Sequence, residues 1–174
     1  MTEQKENLLV TLENGIKRIT FNRPERRNSV NAEMMPQMLH AIKESGGDGT
    51  RVVILTGAGD SFCAGADLNA TSERDISNFN ITNALREGVN PIILAMRNLP
   101  VPIIARVHGH AVGVGFNYAL VCDLIIASEQ ALFGQVFVKI GLMPDGGSTL
   151  ILFSGALGIL WWFQRRGSLS PKVK

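Results

Sequence analysis

An α/β fold is predicted by three features of this 174-residue sequence. Short β-branched runs, Arg51-Val52-Val53-Ile54-Leu55-Thr56 and Val101-Pro102-Ile103-Ile104-Ala105-Arg106-Val107, alternate with stretches whose apolar residues recur every three or four positions. Each run leads into a glycine-rich loop, 61–68 and 108–117. A third signal is Asn14-Gly15, which separates two strand-like runs and predicts a hairpin.

The elements follow in order. Leu8–Leu12 and Ile16–Phe21 form the hairpin strands. Asn31 is placed to cap a helix through Met34, Met35, Met38, Leu39 and Ile42, whose spacing makes one apolar face. Methionines on such a face belong to a core rather than to a cofactor surface. Gly46-Gly47-Asp48-Gly49 stops that helix before the strand at 51–56. A polar stretch, Asn69–Asn80, precedes a long helix over Ile81–Asn98, with Leu85, Val89, Ile92, Ile93 and Met96 on its apolar side. Pro91 removes a backbone donor inside it and predicts a kink or a break there. The strand at 101–107, the second glycine loop, a helix through Cys122, a strand at 123–128 and a short strand near Ala131–Phe133 complete the order.

Composition narrows the class. Apolar residues make up 45% and charged residues 18%, which fits a globular domain with a real core. The net charge is only +2 and the basic residues are scattered, so no nucleic-acid partner is expected. Met1–Asn7 has no apolar signal core. The apolar stretch Leu150–Phe163 is shorter than the ~20 residues that cross a bilayer and is broken by Ser154, Gly155 and Gly158. A buried helix and a cytoplasmic, non-membrane protein are expected. Cys63 and Cys122 lack metal-ligand spacing and are expected to be reduced structural thiols. His108 and His110, two apart, could share a side as a metal pair, but no third ligand lies near them in sequence. A structural role is expected, no metal site is assigned, and His40 belongs on the surface.

The glycine loops, Ser61-Phe62-Cys63-Ala64-Gly65-Ala66-Asp67-Leu68 and His108-Gly109-His110-Ala111-Val112-Gly113-Val114-Gly115-Phe116-Asn117, sit in a longer series of blocks. Ile19-Thr20-Phe21-Asn22-Arg23-Pro24-Glu25-Arg26-Arg27-Asn28 precedes them. Cys122-Asp123-Leu124-Ile125-Ile126-Ala127-Ser128, Phe133-Gly134 and Gly141-Leu142-Met143-Pro144-Asp145-Gly146-Gly147 follow. In order and spacing these blocks resemble the enoyl-CoA hydratase/isomerase (crotonase) family. The resemblance implies a crotonase-like spiral of repeated ββα units. It covers residues 8 to 149 and then fades, which suggests a core domain over 1–149 and a divergent helical segment over 150–174, the family's C-terminal helical region being largely absent. It also implies a homo-oligomer, trimer or hexamer, and no permanently bound cofactor, coenzyme A entering as part of the substrate.

By the same resemblance, the backbone N–H groups of Ala66 and Val114 form an oxyanion hole for a thioester enolate. Each such donor typically lowers a transition state by ~2.7–4 kcal/mol. The backbone around Ala64 would lie near the adenine of coenzyme A, Asp67 and Leu68 would line the first loop, and a helix starting after Gly113 would add its positive N-terminal end. The family's two acid–base glutamates would fall at Asn117 and Phe137, and neither residue can act as a base. Asp145 remains, at the place where Δ3,Δ2-enoyl-CoA isomerases are similar in having one acidic residue. An isomerase needs one base; Phe137 would keep its surroundings dry and raise a nearby carboxylate's pKa. Read locally, Pro144-Asp145-Gly146-Gly147-Ser148 is also a helix start with Asp145 as its cap. Three activities stay open: the isomerase, a hydratase with atypical water activation by Asp145 and Asn117, and a non-catalytic acyl-CoA-binding protein.

Overall fold

The computed structural model describes residues 6–67 and 85–136. Strands β1 (Leu8–Glu13) and β2 (Ile16–Phe21) form the expected hairpin. Asn14 and Gly15 both take positive φ, 52° and 78°, as a two-residue hairpin turn requires. A 3-10 turn, Pro24–Arg26, leads to helix α1 (Met34–Glu44). Asn31 caps it from outside: its Oδ1 accepts the Met34 N–H at 3.0 Å. Met34, Met38, Ala41 and Ile42 are the buried face of α1, so the methionines are core.

Strand β3 (Val52–Gly57) follows, then, beyond the intervening segment, a π-helical turn over Leu85–Val89 that passes into α2 (Asn90–Arg97). Pro91 lies in the first turn of α2, immediately after the π-helical turn. The helical geometry changes where the proline predicts it. Strand β4 (Ile103–Val107), β5 (His110–Val112), α3 (Val114–Val121), β6 (Leu124–Ala127) and β7 (Leu132–Gly134) complete the described chain.

The main sheet has the order β1-β2-β3-β4-β6. β1 and β2 are antiparallel and every later pairing is parallel. A second, two-stranded parallel sheet pairs β5 with β7. β5 departs from the sequence reading, which gave no strand within the second glycine loop. Its partners are distant in sequence, Leu132–Gly134 on one side and Cys63 on the other, so no local pattern marks it.

The core lies between the main sheet and helices α1, α2 and α3. Alternation in β2 sends Lys17, Ile19 and Phe21 inward. Phe21 anchors both loops at once: it meets Phe62 edge-on at 5.6 Å and stacks on Tyr118 of α3 at 6.1 Å. Lys17 is buried with them and reaches the end of α1, where it pairs with Asp48 and touches Ala41 O at 3.5 Å. A cation there suits the negative end of the helix. Lys17 and Thr50 hold the Asp48 carboxyl down to about 2.

Candidate functional site

The two glycine loops are joined through Cys63. Its N–H donates to His110 O and its carbonyl accepts from Val112 N–H, both at 2.9 Å, so Cys63 bridges to Ala111 as a strand would. Three residues on, Ala66 bridges to Val30 on the opposite side. Val30 N–H donates to Gly65 O at 2.8 Å and Asp67 N–H to Val30 O at 2.9 Å. The residue between those contacts, Ala66, therefore directs its own N–H away from Val30. Ala66 is exposed.

Val114 starts α3, so its N–H has no acceptor within the helix. The adjacent Gly113 N–H donates to Gly134 O at 2.9 Å, which ties this turn to the end of β7. The loops are in close contact. Gly65 adopts φ of 99°, and a Cβ built on it would lie 3.0 Å from Val112 O and 3.8 Å from Val114 N. A Cβ on Gly115 would overlap Cys63, 2.8 Å from Sγ and closer still to its carbonyl. Only glycine lets the start of α3 lie against the first loop. Ala64, Ala66, Gly113 and Val114 are thus brought onto neighbouring strands of backbone, with the positive end of α3 at the junction.

The polar side chains are arranged differently. Asp67 pairs with Arg23 at 2.7 Å, and Arg23 also donates to Ser29 O at 2.8 Å. Ala64 N–H donates to Arg27 O at 2.9 Å. Asn117 is fully buried on α3 and its Oδ1 accepts from Gln135 Nε2 at 2.9 Å. Leu68, Phe137 and Asp145 lie outside the described residues, as does the boundary expected between 149 and 150. The sequence reading passed over Gln135, Arg23 and Asn28. Asn28 is the clamp beneath the first loop: Nδ2 donates to Ala58 O and Ser61 O, and Oδ1 accepts from Arg23 N–H.

Both thiols are buried, and burial pushes Cys63 up to about 12 and Cys122 higher. Cys63 is held as a packing residue rather than as a nucleophile. His108 Nε2 contacts Gly59 O at 2.9 Å, and His110 Nδ1 faces Ser61 Oγ at 3.4 Å. Gly109 turns the chain between them, so they do not form a pair on one strand. Among the described residues no three His, Cys, Asp or Glu side chains could share a metal ion. His40 is exposed on α1, beside Glu44.

Residues 11–156 match the family described as enoyl-CoA hydratase/isomerase. The chain belongs to this family. The 1,2-epoxyphenylacetyl-CoA isomerase of Escherichia coli is 41% identical over 152 residues, covering 84% of this chain and 57% of that protein. Enoyl-CoA delta isomerase 3, peroxisomal, of Mus musculus is 34% identical over 150 residues, covering 84% of this chain and 46% of that protein. The crystal structure of an enoyl-CoA hydratase from Mycobacterium avium subsp. paratuberculosis matches with a TM-score of 0.73 and 36% identity, over 84% of this chain and 55% of that one. The two-sheet α/β architecture is therefore the crotonase fold. The chain spans about half the length of the curated relatives it matches.

Proposed function

We propose that this hydratase/isomerase-family chain acts on acyl-CoA thioesters as a Δ3,Δ2-enoyl-CoA isomerase. One observation carries the reading: Cys63 zips the two glycine loops together, so that the Ala66 and Val114 amides sit on touching segments. Preorganised amides of this kind hold the oxyanion of a thioester enolate. Asp145 takes a proton from the α-carbon, the electron pair spreads over a dienolate whose oxygen the two amides hold, and Asp145 returns the proton to the γ-carbon. Ala64 and Leu68 line the coenzyme A side of the first loop, with Asp67 held in place by Arg23. Gly113, Asn117 and Phe137 line the acyl side.

The Asn117–Gln135 bond favours isomerisation over hydration, because the position of the family's first glutamate holds a neutral amide already engaged with a second amide. The relative named enoyl-CoA delta isomerase 3, peroxisomal, supports the same choice. The reading brings with it coenzyme A as part of the substrate, a trimeric or hexameric assembly, a cytoplasmic setting, and a division into a core over 1–149 and a divergent segment over 150–174. Exposed Leu124, Ile126 and Leu132 support the assembly, and two buried thiols support the setting. Among the described residues no helix is long and apolar enough to cross a membrane.

The test is turnover of a 3-enoyl-CoA and a 2-enoyl-CoA by the purified chain, alongside Asp145→Asn. Conversion of the first without hydration of the second, lost in the variant, is expected. Unchanged turnover in the variant removes Asp145 from the mechanism. Thioester binding with no turnover of either substrate makes the chain a binding protein.

A further inference from the structure

Ala66 has no means of holding its own amide. Its side chain is one methyl group, the residue is exposed, and the peptide that carries its N–H begins at Gly65, with φ of 99°. A glycine there lets that peptide turn readily unless its neighbours fix it. Two backbone bonds to Val30 do so: Val30 N–H to Gly65 O at 2.8 Å and Asp67 N–H to Val30 O at 2.9 Å. They form an isolated bridge rather than part of a longer ladder.

A side chain closes this bridge from outside. Arg23 Nη1 donates to the carbonyl of Ser29, the residue before Val30, at 2.8 Å. The same nitrogen pairs at 2.7 Å with Oδ2 of Asp67, the residue after Ala66. One guanidinium nitrogen carries two N–H groups, so it can tie together the two segments that the bridge joins. The Arg23 and Asp67 side chains are only 14% and 7% exposed. Arg23 is itself fixed, since its backbone N–H donates to Asn28 Oδ1, and Asn28 grips Ser61 O at the start of the same loop. A shielded ion pair adds little stability over an apolar pair of similar volume; its use lies in fixing one geometry.

We infer that Arg23 is a positioning residue: through Asp67 and Ser29 it holds the Ala66 N–H in the direction that meets the thioester oxygen. The inference rests on the acyl-CoA reading above and adds to it a residue that acts through the backbone. Without the pair, the Gly65–Ala66 peptide has only its two Val30 bonds, and the oxyanion loses a preorganised donor. The core beneath, where Phe21 meets Phe62, does not depend on the pair.

Arg23→Met alone strands the Asp67 carboxylate in a shielded place and endangers the fold. The test therefore uses Arg23→Met/Asp67→Leu, which exchanges the pair for apolar side chains. Asp67→Ala is its companion, cutting the link to the loop while leaving Arg23 on Ser29. Two readouts are taken on each full chain: the infrared frequency of the carbonyl of bound, carbonyl-labelled butyryl-CoA, and kcat and KM for a 3-enoyl-CoA. The unmodified chain is expected to lower the carbonyl frequency below that of the free thioester. Both variants are expected to fold and bind, to leave the frequency near its free value, and to lower kcat about tenfold or more at similar KM. A folded variant with native frequency and kcat overturns the inference and leaves the acyl-CoA reading standing. So does a rise in KM at unchanged kcat, or loss of folding in both variants, which makes the pair purely structural. If only Asp67→Ala folds, it decides alone; if the unmodified chain binds without turnover, the frequency decides. Failure of the unmodified chain to bind butyryl-CoA, or an unshifted carbonyl within it, overturns the acyl-CoA reading and the inference together.

Discussion

Asn28 takes a positive φ of 58° and is fully buried, yet each end of its amide is satisfied. Replacing it by alanine strands the carbonyls of Ala58 and Ser61 and the Arg23 N–H. Asn28→Ala is expected to destabilise the fold by about 2–4 kcal/mol, read from denaturant midpoints. Asp48 offers a pH-dependent counterpart. Its carboxyl is lowered from 3.8 to about 2 in the folded protein, chiefly by Lys17 and then by Thr50. A lowered folded-state pKa means that the carboxylate's contribution is complete above 3.8 and fades as pH falls through about 2. The stability gap between the native chain and Asp48→Asn is therefore expected to be widest near neutral pH and to close across that acid window. A constant gap in a pH series of unfolding curves would contradict this. Lys17 was legible in part: it shares the alternation of Ile19 and Phe21, so its inward direction follows from the strand period. Its partner did not follow, because Asp48 lies in a glycine-rich turn beyond α1.

At the scale of elements, α3 carries the sharpest prediction. Val114 is its first residue, a position where proline fits a helix and removes only the N–H. Val114→Pro is expected to leave the α3 fold in place, by circular dichroism, while lowering kcat for the proposed isomerisation by about 10²–10³. Full activity in that variant would remove the second loop from the chemistry. Gly115→Ala acts by a different route. Its Cβ collides with Cys63, so it pries the loops apart and is expected to lower both the melting temperature and turnover. The elements themselves were largely readable. The hairpin, α1, β3, β4 and β6 announce themselves through local turn chemistry and periodicity. β5 could not, since a three-residue strand owes its existence to Cys63 and Leu132–Gly134, far along the chain. The same holds for the site. The loops could be found from their glycines, but Gln135 became visible only when β7 closed against β5.

Across the whole molecule, one edge stands out. Among the described residues β6 ends the main sheet, and Leu124, Ile125 and Ile126 are 59%, 41% and 61% exposed on it, with Leu132 of β7 57% exposed. Apolar side chains on both faces of an edge strand call for a cover. If the proposed homo-oligomer supplies it, Ile126→Lys is expected to lower the mass seen by light scattering; an unchanged mass would move the assembly to another surface. The segment 63–66 has a further consequence for motion. It is bonded to Ala111 through one residue and to Val30 through another, which makes it an interior rung rather than a hanging loop. Opening it means parting from both neighbours together. In hydrogen–deuterium exchange the Cys63 and Val112 amides should therefore wait for global unfolding, and the proposed binding loop should be among the last parts of the chain to take up label.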